Sequence, residues 1–132
     1  MKIVALDYGA ARTGVAVSDP TGTLARPMGV VEKVATEAGL ARLAELVRAE
    51  GAERVVVGLP LTLRGERGEQ ARETERFVEA LRAAVDVPVE SFDERFTTDL
   101  AEGARDATAP EDARAAAHLL TSYLEWSSGG RA

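Results

Sequence analysis

Apolar residues follow two different spacings along this chain, and the spacing changes near residue 36. Before that point, short apolar runs are separated by glycine and proline turns, which is typical of strands joined by hairpins. Three strands are expected there, at residues 2–7, 14–19 and 24–34. Because Pro27 lacks a backbone N–H group, it favours an edge position for the third strand.

After residue 36, helical and extended segments alternate. Apolar residues spaced by three or four positions predict helices from Thr36 to Gly51, over 74–85, over 98–105 and over 111–126. The β-branched run at 54–59 is typical of a parallel strand buried on both faces, and a fifth strand is expected at 87–92.

This order of main elements, βββαβαβα, predicts an α/β fold with a mixed five-stranded sheet and helices on both faces. One domain is expected over residues 1–126, since 132 residues are too few for two ordinary domains. The Ser- and Gly-rich tail at 127–132 is expected to be disordered.

Composition narrows the possible chemistry. With no cysteine and one histidine, His118, the chain lacks the ligands of a disulfide framework or a structural zinc site. A bound metal would therefore be a hard cation on carboxylate oxygens, Mg²⁺ or Mn²⁺. The net charge of -6 has the wrong sign for a broad nucleic-acid-binding face, although bound cations and local arginines can reverse the potential at one site. No apolar run has the length of a signal peptide or a membrane span, so a cytoplasmic protein is expected.

Two acids occupy positions that need an explanation. Asp7 ends the first strand, on the face of Ile3 and Ala5, where open α/β sheets bind ligands; the alternative is a turn-forming aspartate. Asp112 continues the inward stripe of the last helix, where a carboxylate is costly unless it is paired or metal-bound; the alternative is a first-turn acid that complements the helix dipole. The predicted stripe consists of Ala115, Ala116, Leu119, Leu120, Tyr123 and Leu124, and its alanines would let the helix approach the first strand.

A third acid is expected where the fifth strand ends. Adjacent side chains of a strand point to opposite faces, so at most one of Asp93 and Glu94 would face a common site, and a salt-bridged strand end is the alternative. Guanidinium groups near the same edge suit phosphate oxygens, but arginines are also ordinary surface residues. These arginines are Arg12, Arg64, Arg67 and Arg95. The chain contains neither a P-loop nor a dinucleotide-binding glycine motif.

Four motifs, in order, make the chain resemble the YqgF/RuvX family of pre-16S rRNA nucleases and Holliday-junction-resolvase-like proteins. They are Leu6-Asp7-Tyr8-Gly9 through Asp19, Val57-Gly58-Leu59-Pro60-Leu61 with Gly65, Asp93-Glu94-Arg95-Phe96-Thr97-Thr98, and Asp112-Ala113-Arg114-Ala115-Ala116 before Leu120-Thr121-Ser122-Tyr123-Leu124. The resemblance implies an RNase H-like fold with Asp7, Glu94 and Asp112 around divalent metal, and Asp93 as the alternative to Glu94. Family members often have Lys-Arg where this chain has Ala11-Arg12, and Gln where it has Thr121. The missing lysine removes a candidate phosphate contact, which puts substrate affinity, but not the metal site, in question.

The leading hypothesis is therefore a metal-dependent nuclease that acts on structured RNA, at the 5′ end of pre-16S rRNA, with Arg12, Arg64 and Arg95 positioning the phosphate. One alternative is a Holliday junction resolvase on DNA, which needs two active sites and hence a homodimer rather than a monomer. Others are a non-catalytic nucleic-acid-binding accessory protein, and an ATP-binding module of the actin and sugar-kinase type, which needs two such domains.

Overall fold

The fold is described from a computed structural model, which defines residues 1–62, 64–96 and 109–129 (128 and 129 by backbone only). The strands are β1 (Ile3–Asp7), β2 (Arg12–Ser18), β3 (Ala25–Glu32), β4 (Arg54–Leu59) and β5 (Val89–Asp93). The helices are α1 (Glu37–Ala49), α2 (Glu69–Ala84) and α3 (Glu111–Gly129), and a short 3₁₀ helix (Glu94–Phe96) follows β5.

The five strands form one mixed sheet in the order β3-β2-β1-β4-β5. Strand β2 pairs antiparallel with both β1 and β3, whereas β1, β4 and β5 are parallel to one another. The predicted mixed sheet is therefore confirmed, with Pro27 on an edge strand and the apolar run of β4 between two parallel neighbours.

Helices cover both faces of the sheet. Helices α1 and α2 pack on one face, where Leu43, Phe77 and Leu81 meet the side chains of Val4 and Val57. Helix α3 packs on the other face, and its buried side chains meet Ile3, Ala5, Ala16 and Val56. Because side chains alternate along a strand, Asp7 projects from β1 toward the α3 layer, as its spacing from Ile3 and Ala5 predicts.

The ends of several elements differ from the predicted ones. Thr36 caps α1, since its Oγ1 accepts a hydrogen bond of 3.1 Å from Gly39 N. Helix α2 begins at Glu69, whereas the predicted helix begins near residue 74. The prediction is late because the first turn of the helix is mostly polar and gives no apolar periodicity. Helix α3 continues past Trp126 to Gly129. The short helix expected at 98–105 and residues 130–132 lie outside the described residues.

Among the helices of the described residues, none combines the length and apolar character that a membrane crossing requires.

Candidate active site

The three predicted acids lie at one edge of the sheet. The carboxyl ends of the parallel strands meet there, because Asp7 ends β1 and Leu59 at the end of β4 lies beside Asp93 of β5. Glu94 comes directly after β5. Helix α3 begins at the same edge, since the backbone of Asp112 lies against Gly14, the register partner of Asp7.

Helix α3 approaches β2 closely because position 14 carries no side chain. A Cβ atom placed on Gly14 would overlap the backbone carbonyl oxygen of Asp112. The buried alanines that allow this approach are Ala113 and Ala116, whereas the prediction that Ala115 faces inward is wrong, because Ala115 is exposed. A helix turns by 100° per residue, so Ala113 and Ala115 lie on opposite sides of the inward-facing stripe. Only Ala113 is turned far enough inward to be buried.

Asp7 occupies the middle of the acidic group. Burial raises the pKa of its carboxyl group above the ordinary value, and the neighbouring charge of Asp112 raises it further. Both effects disfavour the ionised carboxylate, and a bound cation would offset them.

Glu94 lies over the end of β4. A Cβ atom placed on Gly58 would be 2.7 Å from Oε2 of Glu94, so the glycine makes room for this carboxylate. Burial raises the pKa of Glu94 to about 6, and the charges of Asp7 and Asp93 act in the same direction. Asp7 thus interacts electrostatically with Asp112 on one side and with Glu94 on the other.

Asp93 is oriented differently. Its carboxylate accepts hydrogen bonds from Nε of Arg95, at 3.1 and 2.9 Å, and from Nη2, at 2.6 Å. The backbone N–H of Arg95 also donates to Oδ1 of Asp93, at 2.9 Å. These bonds with Arg95 lower the pKa of Asp93, the side-chain bond most strongly. Of the two adjacent acids, Glu94 is therefore the one that shares the environment of Asp7.

The four arginines near the predicted edge differ in whether an acid holds the guanidinium group. Nε of Arg12 lies 3.1 Å from Oδ2 of Asp112, an ion pair that sequence reasoning missed. Arg95 is held by Asp93 and lies against Gly65, whose φ of +82° favours glycine. Arg64 is exposed, and no side chain of the described residues pairs with it. Arg67 is held by Glu75, at 2.7 Å.

The donors suit a hard divalent cation in type, because two half-buried carboxylates and a third from α3 supply only oxygen atoms. Their spacing does not yet form a closed site: among the described residues, no three acids or histidines are grouped closely enough to hold a metal ion together. The carboxylate of Asp112 is held by Arg12, with Oδ2 at 3.1 Å from Nε. The acids form two interacting pairs that share Asp7.

Sequence reasoning also missed the two glycines that make these approaches possible. The predicted strands at 14–19 and 54–59 include Gly14 and Gly58, but neither glycine is predicted to have a role at the site. The available signal was a glycine within an apolar strand, which often marks the close approach of another backbone or a ligand.

The strand order, the two helical layers and the acids at the carboxyl edge define an RNase H-like α/β protein. Solved structures bear out this fold: RuvC of Thermus thermophilus, in a complex with a Holliday junction substrate, matches with a TM-score of 0.69 at 19% identity. That match covers 98% of this chain and 96% of the RuvC chain.

Sequence comparison gives the family. Residues 1–126 match the family described as "RuvX: Holliday junction resolvase". A protein of Chloroflexus aggregans is 44% identical, with 93% of this chain and 92% of the relative covered. A protein of Rubrobacter xylanophilus is 45% identical, with 97% and 95% covered. Both carry the name "Putative pre-16S rRNA nuclease". The chain belongs to the RuvX family, and the predicted enzyme class, a hydrolase of the nuclease type, is confirmed at this level.

Proposed function

We propose that this protein is a divalent-metal-dependent nuclease that hydrolyses phosphodiester bonds in structured RNA, at the 5′ end of pre-16S rRNA during ribosome biogenesis in the cytoplasm. The observation that carries the proposal is the position of Asp7, half-buried between two further acids at the carboxyl edge of the sheet. Like-charged carboxylates in a partly dehydrated site favour a cation between them. The names of the relatives support the RNA substrate.

Asp7, Glu94 and Asp112 are the residues that would hold Mg²⁺ or Mn²⁺. Such a cation, when bound, polarises a phosphoryl oxygen and lowers the pKa of a bound water molecule. The three carboxylates would determine its place at the sheet edge, because each comes from a different element of the fold.

The arginines would hold the phosphate. Arg64 is available to it as the structure stands, since no described residue pairs with its side chain. Arg12 becomes available when Asp112 exchanges its ion pair at 3.1 Å for the cation. Cation binding and phosphate binding are then coupled through one carboxylate. Arg95 is held by Asp93, which fixes its guanidinium group at the same edge.

Neutral substitutions of the acids test the proposal. Asp7→Asn and Asp112→Asn should each slow Mg²⁺-dependent cleavage of a precursor-rRNA fragment by at least about 100-fold, because a cation contributes several kcal/mol to the transition state. Asp86→Asn, an exposed acid at the opposite edge, is the matched control and should cleave at the wild-type rate. Circular dichroism establishes that each variant is folded. Wild-type cleavage rates for both site variants would refute the assignment.

Holliday junction resolution is the second candidate, favoured by the description of the family. The same acids would serve both reactions, so the substrate must discriminate. Cleavage of a four-way DNA junction in preference to precursor rRNA, together with sedimentation as a homodimer, would favour resolution; a monomer with and without junction would count against it. Intact folding with no cleavage of either substrate would instead favour a non-catalytic accessory protein.

A further inference from the structure

Lys33 has an unusual backbone conformation beside the candidate site. Its φ is 52°, and it is the one non-glycine residue of the described chain with a positive φ. Lysine has no side-chain group that offsets the steric cost of this left-handed conformation. Strained residues of this kind persist only where the surrounding structure imposes them, and they cluster at functional sites.

Hydrogen bonds from two elements impose the conformation. The N–H of Lys33 donates to the carbonyl oxygen of Ala11, at 3.1 Å, in the connection between β1 and β2. The carbonyl oxygen of Lys33 accepts from the N–H and the Oγ1 of Thr36, at 3.0 and 2.7 Å, at the start of α1. A Cβ atom placed on Gly39 would overlap the same carbonyl oxygen, so α1 also packs directly against it. The backbone of Lys33 is therefore fixed relative to the edge that carries the acids.

The side chain of Lys33, in contrast, is not held by any of the described residues. It is exposed, and its ammonium group makes no hydrogen bond or ion pair with the described residues. Arg12, the register partner of the preceding residue Glu32, is already bound to Asp112. Strand β3 lies two strands from β1, which corresponds to about 10 Å. A fixed backbone thus carries an unpaired cation at one flank of the acidic group.

We propose that Lys33 is a substrate-positioning residue that binds a phosphate of the nucleic-acid backbone. This phosphate would lie a short distance along the backbone from the phosphodiester bond that is cleaved. The inference rests on the proposed function. Arg64 follows β4 on the other flank of Asp7, so the two cations would contact the backbone on opposite sides of the cleaved bond. Lys33 contributes position and affinity and does not touch the reacting atoms.

The test measures the salt dependence of binding in the absence of cleavage. Anisotropy of a labelled RNA hairpin gives the dissociation constant in Mg²⁺ over a range of NaCl concentrations, with Asp7→Asn as the background of every variant. Lys33→Ala should reduce the slope of log Kd against log salt by about 1, the loss of one phosphate contact. Arg26→Ala is the matched control: Arg26 is an exposed, unpaired cation of the described chain at the opposite end of β3, and its loss should leave the slope unchanged.

Three further variants separate binding from stability. Lys33→Gly should melt at a higher temperature than Lys33→Ala, because glycine adopts the left-handed conformation without steric cost, yet both should bind equally weakly. Lys33→Arg should keep the wild-type slope. Ala11→Lys should restore the slope in the Lys33→Ala protein, because it places a cation at the hydrogen-bonded neighbour.

Equal slopes for Lys33→Ala and its background, or wild-type affinity in Lys33→Gly, would overturn the inference even if the protein cleaves RNA. Lys33-dependent binding, together with no cleavage by the protein that retains Asp7, would support it while the proposed function fails. Absence of binding to the hairpin in the Asp7→Asn background would overturn it.

Discussion

At the scale of single residues, the site concentrates negative charge where water is partly excluded. Asp7 is half-buried, and its neighbours on two sides are acids. Such an arrangement weakens the folded state without a cation, because each carboxylate loses hydration and repels the next. Binding function and stability are therefore opposed at these positions.

The pH dependence of stability in a Glu94 variant tests this opposition. The pKa of Glu94 is raised to about 6 in the folded protein, against 4.5 for the isolated group. The folded state thus binds the proton more readily, so the carboxylate destabilises it above pH 6, and the penalty vanishes below pH 4.5. Without divalent cations, Glu94→Gln should raise the free energy of unfolding by about 1 kcal/mol at pH 8, after allowance for solvent screening, and leave it unchanged at pH 4.

Urea denaturation at the two pH values measures the difference. The exposed Glu53, next to the start of β4 at the opposite edge, supplies the control, and Glu53→Gln should match the wild type at both values. A Glu94→Gln protein that is less stable than the wild type at pH 8 would contradict the origin assigned to the raised pKa.

At the scale of elements, glycines in strands determine how closely the acid-bearing segments approach the sheet. Gly14 receives the backbone of Asp112, and Gly58 receives the side chain of Glu94. The first contact is between two backbones, so an added side chain at Gly14 can be accommodated only if α3 moves. The second involves the far end of a flexible side chain, which can move away.

Alanine substitutions should separate these two kinds of contact. Gly14→Ala should destabilise the protein by about 1–3 kcal/mol and also abolish cleavage, because the added Cβ overlaps the carbonyl oxygen of Asp112. Gly58→Ala should cost less stability but still reduce cleavage, since it displaces the carboxylate of Glu94.

Gly29→Ala in β3 is the control for both variants, because an added Cβ at Gly29 meets no atom within 4 Å. Chemical denaturation and the rate of cleavage are measured for all three proteins. If Gly14→Ala is as stable as Gly29→Ala, then α3 does not depend on the close approach.

At the scale of the whole molecule, an acidic protein is expected to bind a polyanion. Its net charge is -6. Several arginines of α2 are paired with nearby glutamates, and Arg72 and Arg76 share Glu69. At the sheet edge, a bound cation and released arginines would act together to make the potential favourable for the polyanion.

Thermal stability in the presence of Mg²⁺ reports whether the edge binds a cation. At 10 mM Mg²⁺, a site with a millimolar dissociation constant would stabilise the folded protein by about 1.4 kcal/mol. The melting temperature of the wild type should rise by several degrees, at about 4 °C per kcal/mol for a domain of this size. Asp7→Asn should lose the rise and Asp86→Asn should keep it; equal rises in all three proteins, measured by scanning calorimetry, would place the cation elsewhere.

The sequence by itself determined the elements and the positions of the acids along them. Alternating and three-to-four spacings are local properties, so the strands, the helices and the carboxylate at the end of β1 follow from neighbouring residues. Proline chemistry likewise assigns β3 to an edge, since a missing N–H group has the same consequence in any fold.

Only the tertiary structure decided which groups meet. Asp7 and Asp112 are 105 positions apart in the chain, and their interaction depends on how closely α3 packs against Gly14. The same packing determines three further contacts. Glu94 rather than Asp93 shares the environment of Asp7, Arg12 pairs with Asp112, and Ala113 rather than Ala115 is buried. Local patterns determine on which helix or strand a side chain lies, whereas its partner is determined by contacts between segments that are distant in sequence.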